Sequence, residues 1–371
     1  MPYNEALWLE NKRGRFAIGS APDAEPGAGE IAVRVNAVAV NPFERLIRTV
    51  GDIIVPWLRY PTIVGTDVAG EVIAIGAGVS RFALGDRVIG FAAGSERGHR
   101  SAEGAFQRQV ILRENLTAPI PDMLSYTSAC VLPLAITTAA AGLFQPDQLN
   151  LQPPRERPAP LGETLLVWGG STSVGCNAIQ LAVAAGYDVI ATASSHNHEY
   201  LRRLGARAVF DRTDPDVIAA ITADLRGRRT CGAIAIGTGS AQACIDVIGA
   251  SNGNRFVAMA TPPASLDDVP AGRGRWRKLL PVLASIVAGN AALALRSWRK
   301  GVGIKFIWGG TPVGNEVGPM IFADFLPAAL VEKRYVAAPE ASVIGEGLAA
   351  IPGALELQRL GVSASKLVIK L

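Results

Sequence analysis

The sequence predicts an α/β protein of two domains, an irregular β domain joined to a doubly wound parallel sheet. Three observations predict it. The chain has 371 residues, beyond the roughly 250–300 at which a single hydrophobic core stops growing. Residues 30–112 read as short apolar runs punctuated by Gly and Asp, the pattern of strands and turns. From residue 164 onward, buried-strand runs alternate with helical stretches, which is the signature of βαβ units around a parallel sheet.

In the first region Ile31, Val33 and Val35 share one face of a strand that ends near Val40. Residues 152–162 are rich in Pro and charge and read as an exposed loop. The second region opens with a strand at 164–168. A helix over 174–185 follows, with Gly186 as its stop, and then a strand at 188–192. A helix at 197–204, a strand at 208–210, a helix at 215–225 and a strand at 232–236 continue the alternation. A helix at 241–248 and a strand at 255–259 extend it. The last residues, 367–371, read as a strand that returns to the first domain. The predicted partition is 1–133 with 310–371 for the β domain and 134–309 for the parallel-sheet domain, with an apolar insertion near 273–305.

Composition bounds the function. Hydrophobic residues make up 49% and charged residues 18%, and the net charge is +4. That balance is globular, and it is too mildly basic to predict a nucleic-acid partner. The first sixteen residues are charged and lack an apolar core, so no signal peptide is predicted and the cytoplasm is the expected compartment. Cys130, Cys176, Cys231 and Cys244 sit in apolar stretches without Cys-x-x-Cys spacing and read as buried thiols. Only three histidines occur, His99, His196 and His198.

The strongest chemical signal is the turn from Trp168 through Gly169-Gly170-Ser171-Thr172-Ser173 to Val174-Gly175. It follows a strand and opens a helix, the context a dinucleotide fingerprint requires. Gly170 is expected to make the tight turn and Gly175 to let the helix pack on the sheet. A pyrophosphate would then meet the helix N-terminus and the hydroxyls of Ser171, Thr172 and Ser173. An Asp or Glu at the end of the second strand would select NAD by binding the ribose 2′-hydroxyl. That strand ends instead in Ser194-Ser195-His196-Asn197. These side chains, with Arg212 beyond the third strand, suit a 2′-phosphate, and NADPH is the expected cofactor.

The run Tyr60-Pro61-Thr62-Ile63-Val64-Gly65-Thr66-Asp67-Val68-Ala69-Gly70-Glu71-Val72 leads through Gly76 to Gly85-Asp86-Arg87-Val88. It resembles the signature of medium-chain dehydrogenases/reductases. Asn41-Pro42, Gly104-Ala105-Phe106 and Leu132-Pro133 fall where that superfamily places equivalents. A closer resemblance, to fungal zinc-free reductases of the ToxD type and to the trans-acting enoyl reductases of lovastatin-type polyketide synthases, rests on several short runs. They are Trp168 to Thr172, Ser195-His196-Asn197, Gly205-Ala206, Val209-Phe210-Asp211 and Lys366-Leu367-Val368. The resemblance covers essentially the whole chain. It implies a GroES-like β domain and a Rossmann domain, with the active site in the cleft between them.

The zinc enzymes of that superfamily carry a Gly-His-Glu run whose histidine binds metal. Here the run is Gly65-Thr66-Asp67, and Asn41-Pro42-Phe43-Glu44 stands in the region of the early cysteine ligand. A catalytic zinc needs three protein ligands, so no metal is expected. The resemblance therefore implies hydride transfer from NADPH to an activated C=C bond, in an enone or enoyl thioester, within polyketide-type secondary metabolism. A quinone oxidoreductase is the alternative, and a non-catalytic NADPH-binding partner protein is another. Thr138 aligns with a family threonine near the nicotinamide ribose. Arg45 and Tyr60 are candidate donors near the substrate. The sequence departs from the lovastatin-type pattern at Leu46, where a lysine is usual, and at Arg212, where a tyrosine is usual.

Residues 279–295 form a nearly uncharged run between Arg273, Arg275, Arg277 and Lys278 on one side and Arg296, Arg299, Lys300 and Lys305 on the other. The run is expected to be a helix covering the substrate cleft or a subunit interface. Peripheral membrane contact is the alternative. A small-molecule or carrier-bound acyl substrate is expected, with a synthase or carrier-protein partner in the second case.

Overall fold

The computed structural model describes residues 4–371. Met1–Tyr3, which begin the stretch read as lacking a leader, lie outside the described residues.

The chain opens with β1 (Glu5–Leu9), β2 (Phe16–Ser20) and β3 (Glu30–Ala39), then α1 (Pro42–Ile54) and β4 (Thr62–Ile63). Next come β5 (Asp67–Ile75), β6 (Arg87–Phe91), β7 (Gln109–Arg113) and β8 (Thr117–Pro119), followed by α2 (Tyr126–Ala129) and α3 (Pro133–Phe144). β3 is the organiser of this region. It pairs antiparallel with β5 from Ile31↔Ile75 to Ala39↔Asp67 and with β7 from Glu30↔Arg113 to Arg34↔Gln109. Most of its side chains are buried, as the run of apolar residues demands.

Helix α1 departs from the strand-and-turn pattern expected over 30–112. Its cause is local. Pro42 stands in the first turn, where its missing N–H costs nothing, and Glu44 reaches back to accept from the Asn41 N–H at 2.7 Å. That is a helix start written inside a β-rich stretch.

The middle of the chain alternates β9 (Glu163–Trp168), α4 (Ser173–Ala184), β10 (Asp188–Ala193), α5 (His198–Arg203), β11 (Ala208–Asp211) and α6 (Val217–Asp224). It continues with β12 (Arg229–Ala235), α7 (Ser240–Gly249), β13 (Asn252–Gly253), β14 (Phe256–Met259), α8 (Arg275–Lys300) and β15 (Gly303–Phe306). The sheet order is β11-β10-β9-β12-β14-β15, with β13 beside β12, and every pairing is parallel. Counted within the sheet, that is the 3-2-1-4-5-6 order of a doubly wound dinucleotide fold. Leu165, Leu166 and Val167 are fully buried at its centre. Gly186, at φ +91°, ends α4, and a side chain there would also strike the Ala159 carbonyl.

The chain then forms α9 (Val317–Pro319), a π-helical stretch, α10 (Leu326–Val331), β16 (Glu340–Glu346), α11 (Ile351–Arg359) and β17 (Ser365–Lys370). β17 returns to β3, pairing Val368↔Ala39 and Lys370↔Ala37, and takes β16 as its parallel neighbour.

Two compact units result. The first holds the chain up to Leu134, Leu266–Lys278 and Gly318–Leu371, and the second holds Ala135–Ser265 and Leu279–Val317. Leu266–Lys278 groups with the first unit, although the partition read from the sequence put it in the second. Long-range ion pairs explain this. Arg45 on α1 pairs with Asp267, and Arg275 donates to Asp52 at 2.6 Å and to the Thr49 carbonyl at 3.2 Å.

Gly70 lies where β3 and β5 approach closely, and a Cβ there would sit 2.1 Å from the Arg34 carbonyl oxygen. Gly70→Ala is expected to cost about 1–3 kcal/mol, because backbone must move. Gly353→Ala in α11, where nothing lies within 4 Å of the new carbon, is expected to gain about 0.5–1 kcal/mol. Denaturant unfolding of both variants checks the pair.

Candidate functional site

The carboxyl ends of β9, β10, β12 and β14 lie together on one edge of the parallel sheet, which is where open α/β sheets bind ligands. The turn after β9 is built almost wholly from backbone. Gly169, at φ +85°, makes the sharp bend, so the role expected of Gly170 falls one residue earlier. Gly170 serves packing instead, since a Cβ there would meet Leu201, Ala191 and Ile179. A Cβ on Gly175 would sit 2.3 Å from the Gly169 carbonyl oxygen. The first turn of α4 can pass that close to the strand end only without a side chain.

Thr172 caps α4. Its hydroxyl donates to the Gly169 carbonyl at 2.8 Å and accepts from the Gly175 N–H at 3.0 Å. That hydroxyl is therefore committed to the turn. The half-buried hydroxyls of Ser171 and Ser173, with the free N–H groups of the helix start at Ser173 and Val174, remain to meet an anion. Thr192 locks the turn from the neighbouring strand, accepting from the Gly169 N–H at 3.0 Å through its hydroxyl and from the Gly170 N–H at 2.8 Å through its carbonyl.

At the end of β10, Ser194 is half-buried, Ser195 and His196 are exposed, and Asn197 is buried. Arg212 is exposed, and its N–H donates to the Ala193 carbonyl at 3.1 Å, which sets it directly beside this strand end. One residue here was missed by reading along the chain. Asp211 pairs in register with Ala193, and its carboxylate accepts from Ser195. Hydrogen bonds from Ser195 and Thr213 hold its carboxyl well below the usual range. A permanent negative charge thus stands beside Ser195. Its signal is the register of the next strand, which a scan of β10 alone does not contain.

The loop after β12 carries a second glycine turn. Gly237 and Gly239 both have positive φ, and the Gly237 N–H donates to the Thr261 hydroxyl beyond β14 at 2.9 Å. With open space around both glycines, backbone is presented directly at this edge. Thr138 lies half-buried on α3 in the second unit.

Arg45 and Tyr60 lie in the first unit. Arg45 is 3% exposed on α1, ion-paired to Asp267 and bonded to its carbonyl at 3.0 Å. Its Nε is one of the buried side-chain atoms that find no hydrogen-bond partner among the described residues. It borders a hollow of about 230 Å³ that Arg48, Asp268, Glu356 and Arg359 also line. Tyr60 is half-buried, and burial together with the Asp52 charge pushes its phenol up. It keeps its proton at neutral pH and is a hydrogen-bond donor there.

A buried polar network in the first unit surrounds Asp67. Its Oδ1 accepts from the Leu134 N–H at 2.6 Å, and its Oδ2 accepts from Lys366 Nζ at 2.6 Å and Asn41 Nδ2 at 2.7 Å. Lys366 also donates to the Val131 carbonyl at 3.0 Å. Glu44 accepts from the Asn41 N–H and from the Thr66 hydroxyl at 2.8 Å. Both carboxylates are fully buried. Burial and then the Asp67 charge raise the Glu44 carboxyl to about 7, against the hydrogen bonds from Thr66 and Asn41. Burial also pushes the thiols up, that of Cys176 to about 12.

The sign of the Glu44 effect follows from linkage. Folded protein holds this proton more tightly than unfolded chain, so the stabilisation is complete below about pH 4.5 and fades as pH rises through 7. The loss is on the order of 3 kcal/mol. Glu44→Gln is expected to lose that slope, whatever its absolute stability. Denaturant midpoints of both proteins across this window check it.

Comparison with known proteins places this geometry. Residues 27–122 match the alcohol dehydrogenase GroES-like domain and residues 173–265 the zinc-binding dehydrogenase domain. The chain is 46% identical to dehydrogenase pigH of Monascus ruber, over the whole of both chains. It is 34% identical to trans-enoyl reductase himH of Aspergillus japonicus, over 99% of this chain and 97% of that one. Among solved structures, the CurK enoyl reductase superposes with a TM-score of 0.71 at 18% identity, over 99% of each chain. The quinone oxidoreductase of Coxiella burnetii superposes with a TM-score of 0.68 at 22% identity, also over 99% of each. The residues present do not fit the zinc of the domain name. Every carboxylate oxygen of Glu44 and Asp67 is already bonded within the chain, Thr66 offers only a hydroxyl, and an ammonium, Lys366, is buried against Asp67. Among the described residues no three metal-ligating side chains cluster. A GroES-like domain, a parallel 3-2-1-4-5-6 sheet with a capped glycine turn, and full-length relatives above 30% identity together show that the chain belongs to the medium-chain dehydrogenase/reductase superfamily.

Proposed function

We propose that this protein is a zinc-independent, NADPH-dependent reductase that delivers hydride to an activated C=C bond, an enone or an enoyl thioester, in polyketide-type secondary metabolism. The observation that carries the reading is the pairing of a built dinucleotide turn with a donor set that zinc does not fit. The likeness to a full-length relative named as a trans-enoyl reductase supports the choice of C=C over C=O. Without a Lewis acid, rate must come from placing the reactants and from hydrogen bonds to the charge that develops on the substrate oxygen.

NADPH, when bound, supplies the hydride. The chain's own residues do the rest. Gly169, Gly170 and Gly175 bring backbone close enough to seat a pyrophosphate against the start of α4. Ser171 and Ser173 add hydroxyl donors. Ser194, Ser195, His196 and Arg212 receive the 2′-phosphate. Thr138 positions the nicotinamide ribose, and Tyr60 offers a protonated phenol to the substrate. Asp211 is the one observation that favours NADH instead, since its charge opposes a phosphate beside Ser195. A carrier-bound acyl chain is the proposed form of the substrate, which would require a synthase or carrier-protein partner.

Nicotinamide absorbance should fall with an enone or enoyl thioester and NADPH, unaffected by a chelator. Turnover of quinones alone would select the oxidoreductase alternative. NADPH binding with no turnover across the panel would select a non-catalytic role. Arg212→Glu is expected to weaken NADPH at least about tenfold, through loss of a charge-assisted contact, and to leave NADH unchanged. Gly175→Val should abolish both. Titration by nicotinamide fluorescence separates the two, and equal affinity of the wild-type protein for both cofactors would end the 2′-phosphate assignment.

A further inference from the structure

Helix α8 has two apolar faces, and the fold uses one of them. On the inner face Leu279, Leu293 and Ser297 are buried. Leu293 belongs to the core of the second unit, and Ser297 donates to the Val302 carbonyl. On the outer face Trp276 is 57% exposed, Leu280 58%, Val287 70% and Trp298 78%. With Ala284, Ala291 and Ala294 between them, these residues recur three or four positions apart, so they form one continuous stripe. The two tryptophans stand at its two ends, Trp276 one turn before Leu280 and Trp298 one turn after Ala294.

Charge marks what the stripe faces. Residues 273–305 carry eight cations and no carboxylate. Four of the cations are paired within the fold, Arg275 to Asp52, Arg296 and Lys300 to Asp246, and Lys305 to Asp147. The other four, Arg273, Arg277, Lys278 and Arg299, are exposed and make no ion pair among the described residues. They stand at both ends of the apolar stripe.

We propose that the outer face of α8 docks the protein on an anionic membrane surface, with the helix lying in the plane of the headgroups. A stripe of apolar residues ending in tryptophans and flanked by free cations is what such a surface binds. By length and composition the helix could cross a bilayer, but its inner face is built into the fold, so it lies on the surface. A second copy is a poor occupant. In a two-fold contact the same patch faces itself, and here cations would meet cations with no carboxylate in the segment to answer them. The inference does not rest on the proposed reaction.

The test floats the full-length protein with vesicles of phosphatidylcholine alone and with vesicles containing phosphatidylserine. Recovery is expected with the anionic vesicles, falling as salt rises, with a blue shift of tryptophan emission. Val287→Asp and Trp298→Asp should each lower partitioning at least about tenfold, since each removes apolar area from the lipid. Arg277→Glu with Arg299→Glu should lower it by more than about tenfold, at roughly fivefold or more for each charge. Unchanged thermal melts show that these surface variants fold. No recovery with anionic vesicles overturns the proposal, as does equal flotation of wild type and Val287→Asp. A dimer that Val287→Asp dissociates, with no vesicle binding by the wild type, assigns the face to a second copy instead.

Discussion

The first unit is organised around one buried carboxylate, Asp67, and the lysine that neutralises it. Asp67 begins β5, Lys366 lies on β17, and the 2.6 Å contact between them is sealed from water at both ends. A buried pair of this kind adds little net stability over an apolar substitute, because desolvation opposes the attraction. Losing one partner is another matter, since the remaining charge has no water to turn to. What the pair contributes is position. Asp67 also accepts from Leu134 at the start of α3 and from Asn41 at the cap of α1. The start of two helices, the first residue of β5 and the returning C-terminal strand are therefore referred to a single group.

The same group bears on the chemistry proposed for the chain. Asn41, Glu44, Thr66 and Asp67 are bonded into one buried network. Burial, and then the neighbouring charge of Asp67, raise the Glu44 carboxyl to about 7, while the Lys366 ammonium is bonded to Asp67 alone of the two carboxylates. The polar atoms of this network hold α1 and β17 in place, which on the proposed reading leaves none to bind a metal. On the proposed reading, the reaction then depends on the dinucleotide turn, where backbone N–H groups and a helix start do by placement what a metal does by charge.

Much of this was legible in the sequence, and the exceptions share a cause. The alternation from β9 to β14 could be read because each strand is a short buried run and each helix ends at a glycine or a polar turn. The turn after β9 could be read because its context was local, although which glycine bends was settled by φ at Gly169 and the packing of Gly170. What could not be read is what depends on residues far apart. Asp211 reaches Ser195 only through strand register. Leu266–Lys278 joins the first unit through Arg45–Asp267 and Arg275–Asp52, ion pairs spanning more than two hundred residues. Lys366 finds Asp67 the same way. Helix α1 is a different kind of miss, since Asn41-Pro42 with Glu44 is a local helix start that the surrounding strands obscured.

Helix α8 shows where pattern reaches its limit. A nearly uncharged run of seventeen residues reads alike whether it fills a core, covers a cleft or meets lipid. Burial separates these cases, because one stripe of the helix is taken up by the fold and a second stripe, round the helix from it, keeps its tryptophans in the open. Charge then separates what remains. Acidic partners inside the fold take up half of the segment's cations, and the half left over stands at the two ends of the exposed stripe. A helix needed only to pack against its own domain has no use for a second apolar face or for unpaired cations bracketing it. Both features make sense together at a boundary that is apolar within and anionic at its surface.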